Sequence, residues 1–168
     1  LSWVEGIETL LNTIIAHAEG GCLVVTQGGL APVGMMLAKR NPKQIGTLML
    51  TSPPTYDDVT TPIPQKELQR NYDFLRSPIL GNLAFALLES RQAIKFFSDL
   101  FLFQDTCDDQ WLDEAMAEIC DEARAPVQVF NAGLLQHRSY EDELNDMSSR
   151  IWIVKGTSDK RDRQMYIS

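Results

Sequence analysis

The sequence predicts an α/β fold: a mostly parallel sheet with flanking helices and an inserted helical block. Three observations carry that reading. The stretch Cys22 to Pro54 runs as a short apolar segment, a glycine turn, a striped helix and a second apolar segment. Such an order is one right-handed parallel crossover. A third apolar segment, Arg150-Ile151-Trp152-Ile153-Val154-Lys155-Gly156, stands near the far end of the chain. Between the second and third segments, from Gln65 to about Met147, apolar residues recur at helical spacing and nothing reads as a sheet.

The elements follow in chain order. Ser2 to Glu5 fits a capping box, and Trp3, Ile7, Leu10, Leu11, Ile14 and Ile15 keep helical spacing until Gly20-Gly21 ends the helix. Cys22-Leu23-Val24-Val25-Thr26 is short, apolar and rich in β-branched residues, the pattern of a strand buried on both faces. Gln27-Gly28-Gly29 is a sharp turn. Leu30 to Asn41 is a helix that tolerates Pro32 in its first turn; it places Leu30, Val33, Leu37 and Ala38 on one stripe and stops at Asn41-Pro42. Ile45 to Thr51 is the second strand, and Ser52-Pro53-Pro54 closes it.

Thr55 to Pro64 is polar and punctuated by proline, and reads as a loop, with Asp57 and Asp58 as solvated turn residues. Gln65 to Arg76 is an amphipathic helix with Leu68, Tyr72 and Leu75 on one face, broken at Ser77-Pro78. Leu80 to Glu89 and Arg91 to Phe103 are apolar helices, the second capped by Ser90. Asp108 to Arg124 is a charged helix with Trp111, Leu112, Ala115, Met116, Ile119 and Cys120 inward. Ala125-Pro126 starts another helix, carrying Val129, Phe130, Leu134 and Leu135, and Tyr140 to Met147 is a short acidic connection.

Composition bounds the function classes. The 168 residues are enough for one domain, 44% of them hydrophobic and 23% charged. A formal charge of -8 argues against a nucleic-acid partner, because phosphate binding needs a basic surface. No apolar run reaches the roughly 18 residues of a membrane span. Cys22, Cys107 and Cys120 have no metal or redox spacing, so no metal or cofactor is expected. An odd count of cysteines suggests an intracellular, reducing compartment.

The segment from Cys22 to Pro54 resembles the nucleophile-elbow unit of the α/β-hydrolase superfamily, in which a Gly-x-Ser-x-Gly turn joins a central strand to a helix. Two registers fit. One lays the motif on Thr26-Gln27-Gly28-Gly29-Leu30, with Gly28 at the nucleophile position. The other uses Val25 to Gly29 and puts Gln27 there. The first is preferred, because it gives the following helix its usual family length and because glycine takes the strained positive φ of an elbow residue at no steric cost. Neither register supplies a nucleophile, since glycine has no side chain and an amide is unreactive. Gln-Gly at the turn with Pro32 beyond it is also similar to a subgroup of hydrolase-like proteins from plastids and cyanobacteria, which implies the plastid stroma or the cytoplasm.

The resemblance implies more. Residues 1–58 and 148–168 would form a partial hydrolase core, incomplete at both ends, and 59–147 a helical cap of the kind these proteins carry over the active site. Gly156-Thr157-Ser158-Asp159 has the spacing of the loop that holds the catalytic acid, whose task is to orient a histidine. That histidine would follow a strand beyond Ser168, so the sequence reads as part of a longer protein whose targeting peptide is missing. The two histidines present, His17 and His137, occupy other positions. His17 sits near the end of a helix, where the dipole favours it, and His137 fits a surface or capping role. The backbone N–H of Gly29 would be half of an oxyanion hole, with Gln27 beside it. Thr26, Ser52 and Ser158 are hydroxyls near strand ends with no paired base in the sequence. Phe85, Phe96, Phe97, Phe101, Phe103 and Phe130 read as packing, some able to line a pocket.

Two functions from different classes follow. The first is a hydrolase-fold protein without the serine nucleophile, binding a small apolar or carboxylated ligand or a protein partner at the former active site. The second is an active enzyme of the superfamily, an esterase-like hydrolase or a non-serine variant such as a lyase, acting on a small hydrophobic substrate. No complete Ser-His-Asp set is readable in the chain.

Overall fold

The computed structural model describes residues 2–14, 21–119 and 124–156. The chain divides into two compact units, Leu1–Ile63 with Leu135–Ser168, and Pro64–Leu134. The first holds the sheet. Strands β1 (Cys22–Gln27), β2 (Ile45–Thr51) and β3 (Arg150–Val154) run parallel in the order β1-β2-β3. Their register aligns Val25 with Met49 and Trp152, and Gln27 with Thr51 and Val154. Helix α2 (Ala31–Arg40) makes the crossover between β1 and β2, and Pro32 lies in its first turn, where no backbone N–H is needed.

One face of the sheet is packed. Leu48 and Leu50 of β2 are buried with Ala31, Val33, Met35, Met36, Leu37 and Ala38 of α2. Every residue from Ala31 to Ala38 is buried, a wider cover than the predicted stripe, whereas Leu30 is exposed. The packing is close: a Cβ built on Gly34 would meet Thr26 Cγ2 at 2.7 Å and Leu48 Cδ1 at 3.0 Å. Helix α1 (Ser2–Ile14) adds Val4 and Leu11 to this core, with Trp3 and Ile7 against it. Leu10 and Ile14, expected on the same stripe, face outward. The Glu5 half of the expected capping box is described and the Ser2 side chain lies outside the described residues.

Burial on both strand faces is not what the structure shows. β1 alternates, with Leu23 54% and Val25 55% exposed, and every residue of β3 is exposed. Among the described residues the helices cover one face only, and Leu23, Val25 and Trp152 stand on the other. An apolar run reads the same whether or not a second layer covers it, so composition alone could not separate the two cases.

Two expected connections are helical. Tyr56–Thr60 forms α3, closed by a complete capping box in which Asp58 N–H donates to Thr55 Oγ1 (3.1 Å) and Thr55 N–H to Asp58 Oδ2 (3.0 Å). Glu141–Asp146 is the corresponding short helix after the helical insertion. Tyr140, read as the start of an acidic connection, is fully buried; its hydroxyl donates to the Leu135 carbonyl at 2.5 Å and its N–H to the Val59 carbonyl at 3.0 Å. Val59 and Tyr140 therefore belong to the core of the sheet unit. The two compact units meet along the chain at 63/64 and 134/135.

The second unit contains five helices among its described residues and no strand: α4 (Gln65–Arg76), α5 (Leu80–Leu88), α6 (Arg91–Phe101), α7 (Asp109–Ala117) and α8 (Arg124–Asn131). Ser90 caps α6 as expected, accepting from the Ala93 N–H at 3.3 Å, and Asp108 caps α7, accepting from the Trp111 N–H at 2.7 Å. Trp111 is 38% exposed rather than inward, and its indole N–H reaches Ser98 Oγ at 3.1 Å, which ties α7 to α6. The return from α6 to α7 is held by Asp99, which accepts from the Cys107 N–H (2.7 Å) and from Lys95 Nζ (2.9 Å). Those two bonds hold the Asp99 carboxyl below its ordinary range, while burial pushes the Cys107 thiol up.

Candidate functional site

The carboxyl ends of parallel strands are where open α/β sheets present their ligand crevices. Here that edge is formed by Gln27, Thr51 and Val154, which lie in register. β1 leaves it through Gly28–Leu30, a 3-10 turn that feeds directly into α2, with the Ala31 N–H donating to the Gly28 carbonyl. Gln27 is extended (φ -113°, ψ 136°), whereas Gly28 has φ +53°. Only the register with Gly28 in the central place therefore puts the left-handed residue there. A Cβ added at Gly28 would meet nothing within 4 Å. The turn thus has the backbone of a strand-to-helix elbow and an open space where a side chain would project.

The neighbours of the turn are polar. Thr51 Oγ1 donates to the Thr26 carbonyl at 3.1 Å and fastens β2 to β1 just below the turn. Thr26 Oγ1 is buried, packs against Gly34 and has no hydrogen-bond partner among the described residues. Ser52 has φ +43°, a left-handed conformation in a non-glycine residue, and its N–H donates to the Val154 carbonyl at 2.7 Å. Such residues persist only where the surroundings over-determine them. The sequence singled out Ser52 as a hydroxyl near a strand end and gave no sign of this conformation. No signal was available, because the residue before a proline is expected in extended backbone, and Ser52 departs from that rule.

Other candidates lie apart or outside. Asp159, Ser158 and His17 fall outside the described residues. His137 is exposed and meets the Tyr140 ring edge-on at 6.4 Å. Among the described residues no group of three or more His, Cys, Asp or Glu is placed to hold a metal ion. The displaced carboxyls belong to structural pairs: Glu143 is held below its ordinary range by the Arg138 guanidinium, which donates to both of its oxygens at 2.6 and 3.0 Å.

No family model and no curated protein matches the chain. Solved structures do. A serine hydrolase from Cycloclasticus zankles, a bacterium that degrades polyaromatic hydrocarbons, is similar over 92% of this chain and 53% of its own, with a TM-score of 0.57 at 18% identity. A proline iminopeptidase from Mycobacterium smegmatis is similar over 93% of this chain and 54% of its own, with a TM-score of 0.51 at 18% identity. The chain spans about half the length of these structures. Among the described residues no helix is long and apolar enough to cross a membrane.

Proposed function

From the α/β-hydrolase fold of this chain, we propose a protein of that architecture that lacks the serine mechanism and binds a small apolar or carboxylated ligand, or a protein partner, at the turn over residues 26–30. The observation that carries this reading is Gly28: its φ is that of an elbow residue, and the space above its Cα is open. Acyl transfer needs an atom to carry the acyl group, and a glycine has none. What such a turn keeps is its backbone. The first N–H groups of a helix have no partner within it, and they favour an oxygen anion. The N–H of Gly29 opens the helical run from the 3-10 turn into α2 and would take that role, with the exposed Gln27 beside it. Asp159, by its spacing from Gly156, would be the acid of the ancestral arrangement.

Ser52 favours a second reading, an active esterase-like enzyme whose nucleophile has moved. Its hydroxyl stands one residue past Thr51, at the same sheet edge as Gly28, in a strained backbone. Covalent labelling separates the two readings. A fluorophosphonate probe should leave the protein unlabelled, because an oxyanion site alone forms no adduct. Stoichiometric label mapped to Ser52, Thr26 or Ser158 would establish the second reading instead. Gly28→Ser supplies the missing oxygen and should gain label where a histidine base can reach the turn.

A further inference from the structure

The helical unit has a cavity of its own. It measures about 680 Å³ and lies between α5, α6, α7 and α8, with Leu75 of α4 at its margin. That volume falls within the roughly 300–1,000 Å³ of small-molecule sites. Its walls are Phe85, Phe97, Phe101 and Phe130, with Ile94 and Ala115 between them. Phe97 and Phe101 lie nearly parallel, 6.2 Å between centroids. The polar lining is sparse and mostly satisfied. Arg124 Nε and an Nη donate to the two oxygens of Glu89 at 3.0 and 2.7 Å, and the same guanidinium sits 5.6 Å from the centre of the Phe85 ring.

We infer that this cavity is a binding site for a neutral, largely apolar small molecule carrying one to three aromatic rings, held between the phenylalanines of α5, α6 and α8. The charge of the lining decides the class. Glu89 already neutralises Arg124, and Glu118 adds a further carboxylate, so an anion entering here would meet a net negative wall. It would also have to displace a two-bond ion pair, leaving a carboxylate unpaired in an apolar surrounding. A neutral ring system gives up little hydration and gains edge and face contacts with four aromatic side chains. Every residue lining this cavity belongs to the helical unit, and nothing in the inference depends on what the turn at 26–30 binds.

The test uses two probes with one ring system: N-phenyl-1-naphthylamine, which is neutral, and 8-anilinonaphthalene-1-sulfonate, which is anionic. The neutral probe should saturate at a single site per chain, and the sulfonate should bind weaker by about tenfold or more. Ala115→Trp fills the cavity and should cut the neutral probe's affinity by about tenfold or more, while Val25→Thr with Trp152→Thr on the open sheet face should leave it within about twofold. Glu89→Gln removes the neutralising carboxylate and should narrow the gap between the two probes. Binding that survives Ala115→Trp but is lost in the sheet-face variant would overturn the inference, as would a preference of the unmodified chain for the sulfonate. Should Ala115→Trp fail to fold, Phe97→Trp places an indole in the wall. Its emission should be quenched by the neutral probe more than that of the unmodified chain, and equal quenching would overturn the inference.

Discussion

Single atoms account for two features around the turn. Thr26 Oγ1 is a buried hydroxyl without a partner among the described residues, held there because Gly34 admits the side chain against α2. A buried hydroxyl in that state costs roughly 1–3 kcal/mol. Thr26→Val keeps the shape and removes the cost, so it should stabilise the chain by about 1 kcal/mol, read as a rise in denaturation midpoint at unchanged slope. Glu143 is the opposite case, a mostly buried carboxylate held in its charged form by Arg138. Its folded pKa lies below the unfolded value. Its contribution to stability is therefore complete above about pH 4.3 and is lost as pH falls through the lower folded value. Glu143→Gln should be less stable at neutral pH and converge on the unmodified protein in acid; parallel curves of stability against pH would contradict this. Neither feature was legible in the sequence. Thr26 stood out only as a hydroxyl near a strand end, and Glu143 only as one carboxylate in an acidic run, because both depend on partners brought in by the fold.

At the scale of elements, periodicity and capping carried most of the information. The helix over Gln65–Arg76 was readable to the residue because Pro64 and Ser77-Pro78 bound it. Ser90 was readable as a cap because it precedes a strong amphipathic run. Two short helices, α3 and Glu141–Asp146, were hidden. A helix this short lacks a periodic stripe, and only the spacing of Thr55 and Asp58 announced the first. The left-handed residue of the turn was legible from the steric argument alone, since a positive φ selects Gly28 over Gln27. The seat of α2 on the sheet was not. It rests on Gly34, and Gly34→Ala should destabilise by roughly 1–3 kcal/mol because the added carbon overlaps Thr26 and Leu48. Thr26→Ala removes the nearest obstructing atoms. The double variant should therefore recover part of the loss, a favourable coupling visible in a double-mutant cycle. Strict additivity would mean that the helix is held off the sheet by something else.

For the whole molecule, the sheet has one packed face and one open face among the described residues. Leu23, Val25 and Trp152 lie on the open side, each more than half exposed. Contiguous apolar surface of this kind, with strand edges beside it, drives association. The 168-residue chain expressed alone should show concentration-dependent self-association in sedimentation. Val25→Lys with Trp152→Lys should reduce it without loss of helical circular dichroism. A chain that stays monomeric across the concentration range would show that this face needs no cover.

The sheet is also assembled from two stretches of chain with the helical unit between them, and that has a temporal consequence. β1 and β2 are joined by a single short crossover, so their pairing is local. β2 and β3 pair from far apart in sequence, and their meeting must absorb the closure entropy of everything in between. A helical unit that folds first shortens that loop to the span between Ile63 and Leu135, whose neighbours Ile63 and Gln136 are already joined by a backbone hydrogen bond in the folded chain. The insertion should then work as a splint, with the third strand docking faster when the helices are formed than when they are not.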